Sequence, residues 1–287
     1  MTSVHAHTNG LRSRVTALSL VVGAAALGLI VMAAPALPEN ACPTPPDYAA
    51  KCCPPQPWSL EVARPADFVS ADEPMNVGEY KRKLTNYKCS GDYDKAVAEV
   101  LDKAIDYVEH YDTSATQTSG ETKGLALVLD IDETALSNWP AILTDDYGFI
   151  RKGPCDLTID GACGFEAWQL DAKDEVIAPT LKLFNLAKTK DIKVFFITGR
   201  CEIAHMRDAT KANLKVAGYG DVDDDHLRMR PEACPHIDTV VPFKAGERTK
   251  LEEHFKIIAN VGDQWSDLND GHSEKTFKVP NPFYFLP

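Results

Sequence analysis

Three stretches of the chain are predominantly apolar and stop abruptly at polar or glycine-containing motifs. Leu125–Leu129 ends at Asp130, Ile192–Ile197 ends at Thr198-Gly199, and Ile257–Val261 ends at Gly262-Asp263. Segments with helical character lie between them, at Val176–Thr189, Glu202–Ala217 and Glu247–Phe255. Strands that are apolar throughout are buried on both faces, and their alternation with helices predicts an α/β fold built on a parallel sheet. Such sheets bind ligands at the carboxyl ends of their strands, which is where all three motifs fall. Upstream, Val97, Val100, Leu101, Ala104, Ile105 and Val108 recur at helical spacing and predict a helix over Asp92–Tyr111. A more polar stretch, Asn76–Tyr87, begins another. Thr113–Gly120 reads as a Ser/Thr/Gly linker, and residues 37–75 as a leader, extended and rich in Pro and Cys over 37–58. There is no internal repeat.

The N-terminus changes the picture of where the chain works. Arg12 and Arg14 precede an apolar run from Val15 to Ala34, and Ala34-Pro35-Ala36 offers small residues for cleavage. Residues 1–36 therefore read as a signal peptide or, because the run is long enough to cross a bilayer, as a retained N-terminal anchor. Either way the body of the chain is exported: secreted, periplasmic or on the cell surface. All eight cysteines follow this segment, which fits disulfides in an oxidising compartment. Cys155 and Cys163, bracketing a short glycine-containing loop, are the first choice of pair. No Cys-x-x-Cys or histidine cluster points to zinc. The net charge of -12 argues against a nucleic-acid polymer as partner. It also repels phosphates at long range, so any phosphate site must be a local pocket of cations and backbone N–H groups.

Four motifs carry chemistry. In Leu129-Asp130-Ile131-Asp132-Glu133-Thr134, Asp130 is placed to attack phosphorus as a nucleophile. Asp132 is placed to protonate a leaving oxygen and later to accept a proton from water. In Phe195-Phe196-Ile197-Thr198-Gly199-Arg200, Thr198 offers a hydroxyl to a phosphoryl oxygen. Gly199 lets backbone N–H groups approach, and a helix from Glu202 adds its positive end. Lys244 is a candidate to neutralise phosphoryl charge, with Arg248 and Lys250 as rivals. In Asn260-Val261-Gly262-Asp263-Gln264-Trp265-Ser266-Asp267 the carboxylates, together with Asp130, make an all-oxygen site suited to Mg²⁺. Taken singly, each motif also reads as an ordinary acidic or strand-to-helix turn; their order makes the case.

Together they resemble the haloacid dehalogenase (HAD) superfamily. The forms Asp-Ile-Asp-Glu-Thr and Gly-Asp-Gln-Trp-Ser-Asp are similar to its acid phosphatase branch, subfamily IIIB, which includes bacterial class C acid phosphatases and plant vegetative storage-type phosphatases. The resemblance spans about Asn76–Leu286, including Thr276–Pro282. It implies a Rossmann-type parallel sheet with helices on both faces and a small helical cap, drawn from residues 76–119 and 133–190 of a domain over 76–287. It implies Asp130 as nucleophile, Asp132 as general acid/base, and Thr198, Gly199 and Lys244 around the phosphoryl group. Asp130, the Asp132 backbone carbonyl and Asp263 would bind Mg²⁺, with Asp267 assisting through water or by orienting Lys244. Glu133 fits the motif without a chemical step.

The expected activity is hydrolysis of small phosphomonoesters, nucleotides among them, through an aspartyl-phosphate, with an acidic optimum because low pH keeps Asp132 protonated. The alternatives are a non-catalytic storage or binding protein of the same fold, or a narrower 5′-nucleotidase or phosphotransferase. Of Trp139, Tyr147, Phe149 and Trp168 in the cap, one or two are candidates to stack on a substrate ring, with core burial the commoner fate. The scattered histidines and the Asp221–Asp225 run read as ordinary surface or core groups. Oligomeric state has no readable sign.

Overall fold

The computed structural model describes residues 74–113, 123–158, 161–231 and 240–286. The expected signal segment, most of the leader and of the linker, and Cys42, Cys52, Cys53 and Cys234 lie outside the described residues. The chain opens with α1 (Val77–Cys89) and α2 (Asp92–Glu109), then β1 (Gly124–Leu129). A connecting region follows with β2 (Leu136–Ser137), α3 (Trp139–Thr144), α4 (Phe165–Asp171) and β3 (Glu175–Val176). The remainder alternates: α5 (Ala178–Thr189), β4 (Lys193–Cys201), α6 (Met206–Leu214), β5 (Leu227–Arg230), α7 (Val241–Glu252), β6 (Phe255–Gly262), α8 (Trp265–Leu268) and β7 (Lys275–Lys278).

The main sheet is parallel, in the order β5-β4-β1-β6-β7. β1 is central, and Leu129 lies opposite Phe196 on β4 and Val261 on β6. That register sets the ends of the three apolar runs side by side, so Asp130, Thr198 and Asp263 converge. Side chains alternate between faces. Leu125, Leu127, Leu129, Val194 and Phe196 share one core with Val97, Leu101 and Ala104 of α2 and Leu183, Phe184 and Ala187 of α5. Ala126, Val128, Phe195, Ile197 and Ile257 face the other way, against Leu251 and Phe243 of α7.

Several boundaries differ from the sequence expectation. β4 runs on through Thr198-Gly199 to Cys201, and the next helix starts at Met206 after a left-handed His205 (φ 65°), not at Glu202. α7 starts at Val241, so Lys244 lies inside the helix instead of before it. The short β5 and β7 were not anticipated. α2 packs on α5 and the sheet face, because its apolar stripe matches the Leu-rich side of β1. α1 does reach the connecting region. Its N-cap Asn76 accepts from the Gly78 and Glu79 amides, and Thr85 bonds the Tyr147 hydroxyl at 2.6 Å. The connecting region has a small core of its own around Ala141, Cys163 and Trp168. The expected Cys155–Cys163 disulfide is present, and Cys89 and Cys201 are also disulfide-bonded.

Leu127 is fully enclosed on the central strand. Leu127→Ala should cost about 2–5 kcal/mol, read as a lower urea midpoint with an unchanged slope.

Candidate active site

The strand ends open into a cavity of about 320 Å³ whose lining includes Asp130, Asp132, Gly199, Arg200, Lys244, Asp263 and Asp267. Asp130 follows β1 directly, its amide bonded to the Val261 carbonyl at 3.0 Å. Lys244 reaches it from α7: Nζ donates to Asp130 Oδ1 at 2.5 Å and to Asp267 Oδ1 at 2.6 Å, all three groups being buried. Burial alone would lower the lysine's pKa, but the two carboxylates outweigh it and raise it. Burial drives the Asp130 carboxyl well above its ordinary range, with Lys244 opposing.

Of the three cations the sequence left open, Lys244 is the one that reaches Asp130 and Asp267. Arg248 is committed elsewhere, donating to the carbonyls of Asp267, Asn269 and Gly271 and so fixing the loop that carries Asp267. Lys250 pairs with Glu247 at the surface. Gly262 permits the approach of that loop, since a Cβ there would sit 2.4 Å from Asp267 Cβ.

Asp130, Asp263 and Asp267 each offer an oxygen within 4.8 Å of the others. Three carboxylates with one lysine among them leave excess negative charge, and an all-oxygen set of this kind fits a hard cation such as Mg²⁺. Asp263 is further fixed by the amides of Asn281 (2.6 Å) and Gln264 (2.8 Å). Burial and the charge of Asp267 raise it to about 7 against those donors. The Asp132 side chain is not in the trio. It turns to Arg200 and Asn138.

Asp132 shows what the sequence missed. Arg200 Nε lies 3.2 Å from both carboxylate oxygens and Nη2 lies 2.8 Å from Oδ1. Arg200 also grips buried Asp174 at 2.7 Å, and Asn138 Nδ2 donates to Asp132 Oδ1 at 3.0 Å. Burial pushes Asp132 up, but Arg200 and Asn138 together outweigh it and hold the carboxyl below its ordinary value. Free Asp132 is therefore ionised in mild acid, contrary to the expectation that acid keeps it protonated. Burial raises Asp174 to about 6, with Arg200 opposing. Arg200 stands in a quoted motif, so its presence was legible; Asp174 lies in a segment without periodicity and gave no sign.

Thr198 is enclosed beside Asp132. Its hydroxyl lies 3.5 Å from Asp132 Oδ2 and accepts the Arg200 amide at 3.1 Å. Gly199 is the residue that faces the cavity, and a Cβ there would meet only open space. Pairing with β5 jumps from Ile197–Arg228 to Cys201–Arg230, so residues 198–200 bulge toward the site. Glu133, in a left-handed conformation (φ 57°), accepts from the Asn138 amide (2.5 Å), the Asn138 side chain (3.0 Å) and the Tyr284 hydroxyl (2.9 Å). It ties the Asp132 loop to the C-terminal segment, and burial raises it to about 8. Trp139 and Trp168 are buried, and Trp168 Nε1 donates to Asn138 Oδ1. Phe149 is 67% exposed and lines the cavity. Among the described residues no histidine lines it. Asp221 and Asp224 pair with Lys215 and Lys211.

With this geometry, comparison with known proteins is decisive. Residues 66–287 match the family model of HAD superfamily, subfamily IIIB (acid phosphatase). The chain belongs to that family. Acid phosphatase 1 of Solanum lycopersicum is 31% identical over 205 residues, covering 71% of this chain and 73% of the tomato protein. The stem 28 kDa glycoprotein of Glycine max is 33% identical over 162 residues, 55% of this chain and 59% of that one. Vegetative storage protein 1 of Arabidopsis thaliana is 30% identical over 175 residues, 58% and 60% of the respective chains. The class C acid phosphatase from Bacillus anthracis shares the fold, with a TM-score of 0.54 at 19% identity over 73% of this chain and 86% of that one. This acid phosphatase family member is a phosphoric monoester hydrolase.

Arg200→Gln in this phosphatase would leave Asp132 and Asp174 without their shared counter-charge. It should destabilise by about 3–5 kcal/mol. It should also raise the Asp132 carboxyl, moving the acid limb of the pH–rate profile to higher pH, measured as kcat/KM on an aryl phosphate.

Proposed function

We propose that the protein is an exported, Mg²⁺-dependent acid phosphatase that hydrolyses small phosphomonoesters through an aspartyl-phosphate on Asp130. The observation that carries this reading is the pairing of Asp130 with Lys244 beside an Arg200-clamped Asp132, at the end of the central strand and open to a cavity. Export is supported by the apolar run behind Arg12 and Arg14 and by cysteines committed to disulfides, which persist in oxidising compartments.

In the first step Asp130 attacks phosphorus in line with the ester oxygen. Lys244 and the backbone N–H groups around Gly199 hold the equatorial oxygens, with Thr198 donating once its hydroxyl turns from Asp132. Asp130, Asp263 and the Asp132 carbonyl, with Asp267 beside them, would hold Mg²⁺, which when bound would supply charge neutralisation between carboxylate and phosphoryl oxygens. Because Arg200 keeps Asp132 ionised, the proton for the leaving alcohol arrives with the substrate. A phosphomonoester loses its second proton near about pH 6, so below that it enters as the monoanion. Its proton passes through Asp132 to the departing oxygen, giving the free alcohol and the aspartyl-phosphate. In the second step Asp132, ionised again, takes a proton from water as the water oxygen attacks phosphorus, releasing phosphate and restoring Asp130. Acidity thus acts on the substrate rather than on the resting Asp132.

The storage-protein names among the relatives define the rival reading, a fold kept without turnover. The separating experiment is p-nitrophenyl phosphate hydrolysis by the exported domain, with Mg²⁺ or EDTA. Turnover should need the metal, vanish in Asp130→Asn, and fall by about 10²–10⁴-fold in Asp132→Asn. Its kcat/KM should decline as pH rises through the second ionisation of the phosphate. Folded, metal-loaded protein without turnover at acid and neutral pH, with nucleotides tried as well, would favour the storage reading.

Metal binding should displace protons, because ligands must be deprotonated and Asp263 is held up at about 7. At pH 6 calorimetry in buffers of differing ionisation enthalpy should register proton release on adding Mg²⁺. The release should fade above pH 7 and shrink in Asp263→Asn; a buffer-independent heat at pH 6 would count against this site.

A further inference from the structure

A groove of about 790 Å³ shares none of its lining residues with the catalytic cavity. It is lined from α1 and α2 by Cys89, Tyr93 and Val97, and from α3, β3 and α5 by Trp139, Val176 and Pro179. Val176, although apolar, is 37% exposed there. Ser137 and Trp139 both line the groove and flank Asn138, which donates to Asp132. An occupant therefore touches the same loop that holds Asp132.

Cys89 points to the occupant. It is disulfide-bonded, and its partner follows from the remaining cysteines. Cys155 is taken by Cys163. Cys201, also disulfide-bonded, lies opposite Arg230 on the neighbouring strand. Cys234 follows Arg230 by four residues, a span of at most about 14 Å, so Cys201 and Cys234 are within reach of each other. What remains for Cys89 is the leader, with Cys42, Cys52 and Cys53. A disulfide holds its two Cβ atoms within about 4.5 Å, which brings the leader to the groove that Cys89 lines. The leader's other end is fixed by the chain itself, because it enters α1 from Pro74. The stretch from Cys53 to Pro74 is longer than the 13-residue α1, enough to reach from one end of that helix to the other. Its composition also suits the groove. Cys53 is followed by Pro54-Pro55-Gln56-Pro57-Trp58, a sequence that favours extended polyproline II. Segments of that kind dock in aromatic-lined grooves because little order has to be gained on binding, and Tyr93 and Trp139 supply the aromatic lining.

We propose that this groove is the docking surface for the chain's own leader, which is tethered by a disulfide to Cys89 and seats Pro54–Trp58 against Tyr93, Trp139 and Val176. The leader is then a part of the folded domain rather than a spacer between it and the N-terminal segment. The assignment does not depend on turnover.

The tether is tested on the full exported chain, digested without reduction after its free thiols are blocked. Mass spectrometry should find Cys89 joined to Cys42, Cys52 or Cys53, and Cys201 joined to Cys234. Cys89 joined to Cys201 or Cys234, or recovered as a free thiol, would overturn the assignment. So would a reducible dimer linked through Cys89, since the face would then belong to a second copy. Seating is tested by ¹⁵N relaxation on the same chain. Backbone order parameters at Gln56, Trp58 and Ser59 should be about 0.85, as in rigid structure, and should fall below about 0.6 in Val176→Asp with the disulfide intact. Trp58→Ser repeats the test from the leader's side and leaves the groove unaltered; there Gln56 and Ser59 should loosen in the same way. Order parameters below about 0.6 in the wild type, or rigid ones that survive both substitutions, would overturn the docking.

Discussion

Everything at the end of the sheet depends on how a crowd of carboxylates is kept in one buried place. Asp130, Asp174, Asp263 and Asp267 are all buried there and Asp132 is nearly so, with Lys244 and Arg200 as the cations bonded to them. Each cation bridges a reactive carboxylate to a second, supporting one: Lys244 joins Asp130 to Asp267, and Arg200 joins Asp132 to Asp174. Those bridges divide the labour. Burial opposed by a single lysine leaves Asp130 with a strongly raised pKa, whereas a guanidinium gripping both oxygens leaves Asp132 ionised. Two carboxylates two residues apart in sequence thus acquire opposite electrostatic characters.

The fold serves that arrangement through register. Asp130 enters the site because β1 is flanked by β4 and β6 with their apolar ends level. Lys244 reaches it because α7 covers the opposite face from α2 and α5 and begins early enough to place the lysine in its first turns. The loop after β6 is then pulled down by Arg248, and Gly262 leaves the space for Asp267 to settle. The connecting region contributes Asn138 and Asp174, tied respectively to Trp168 and to Asn213. Sheet and connecting region therefore meet in the hydrogen bonds around Asp132 rather than in apolar contact alone.

How much of this was legible follows from which physics writes itself along the chain. Strands buried on both faces leave long apolar runs, so β1, β4 and β6 and the motifs at their ends could be read directly. Four-residue strands such as Leu227–Arg230 alternate buried and half-buried positions over too short a length to stand out. The early start of α7 was hidden by Pro242, which is tolerated in a helix's first turn but reads as a break. The contest among Lys244, Arg248 and Lys250 turned on which face of one helix points at Asp130, a question of packing rather than composition. Asp174 and Asn138 were invisible for a deeper reason: their partners, Arg200 and Trp168, lie 26 and 30 residues away, and no local pattern encodes such a contact.

The same energetics bear on whether the fold is kept for storage or for turnover. A buried ion pair is a poor source of stability, and replacing one with apolar groups of similar volume is often neutral or favourable. Asp130 is repelled by Asp267, Asp263 and Asp132 and is offset chiefly by Lys244, so a chain selected only to remain folded would gain by losing it. The Asp132–Arg200–Asp174 bridge carries a similar burden, with one Asp174 oxygen left without a hydrogen-bond partner. Neither arrangement is a natural solution to the problem of packing a sheet end. Both are natural solutions to holding a nucleophile and a proton carrier two residues apart, each with its own cation, and this chain retains every member of both.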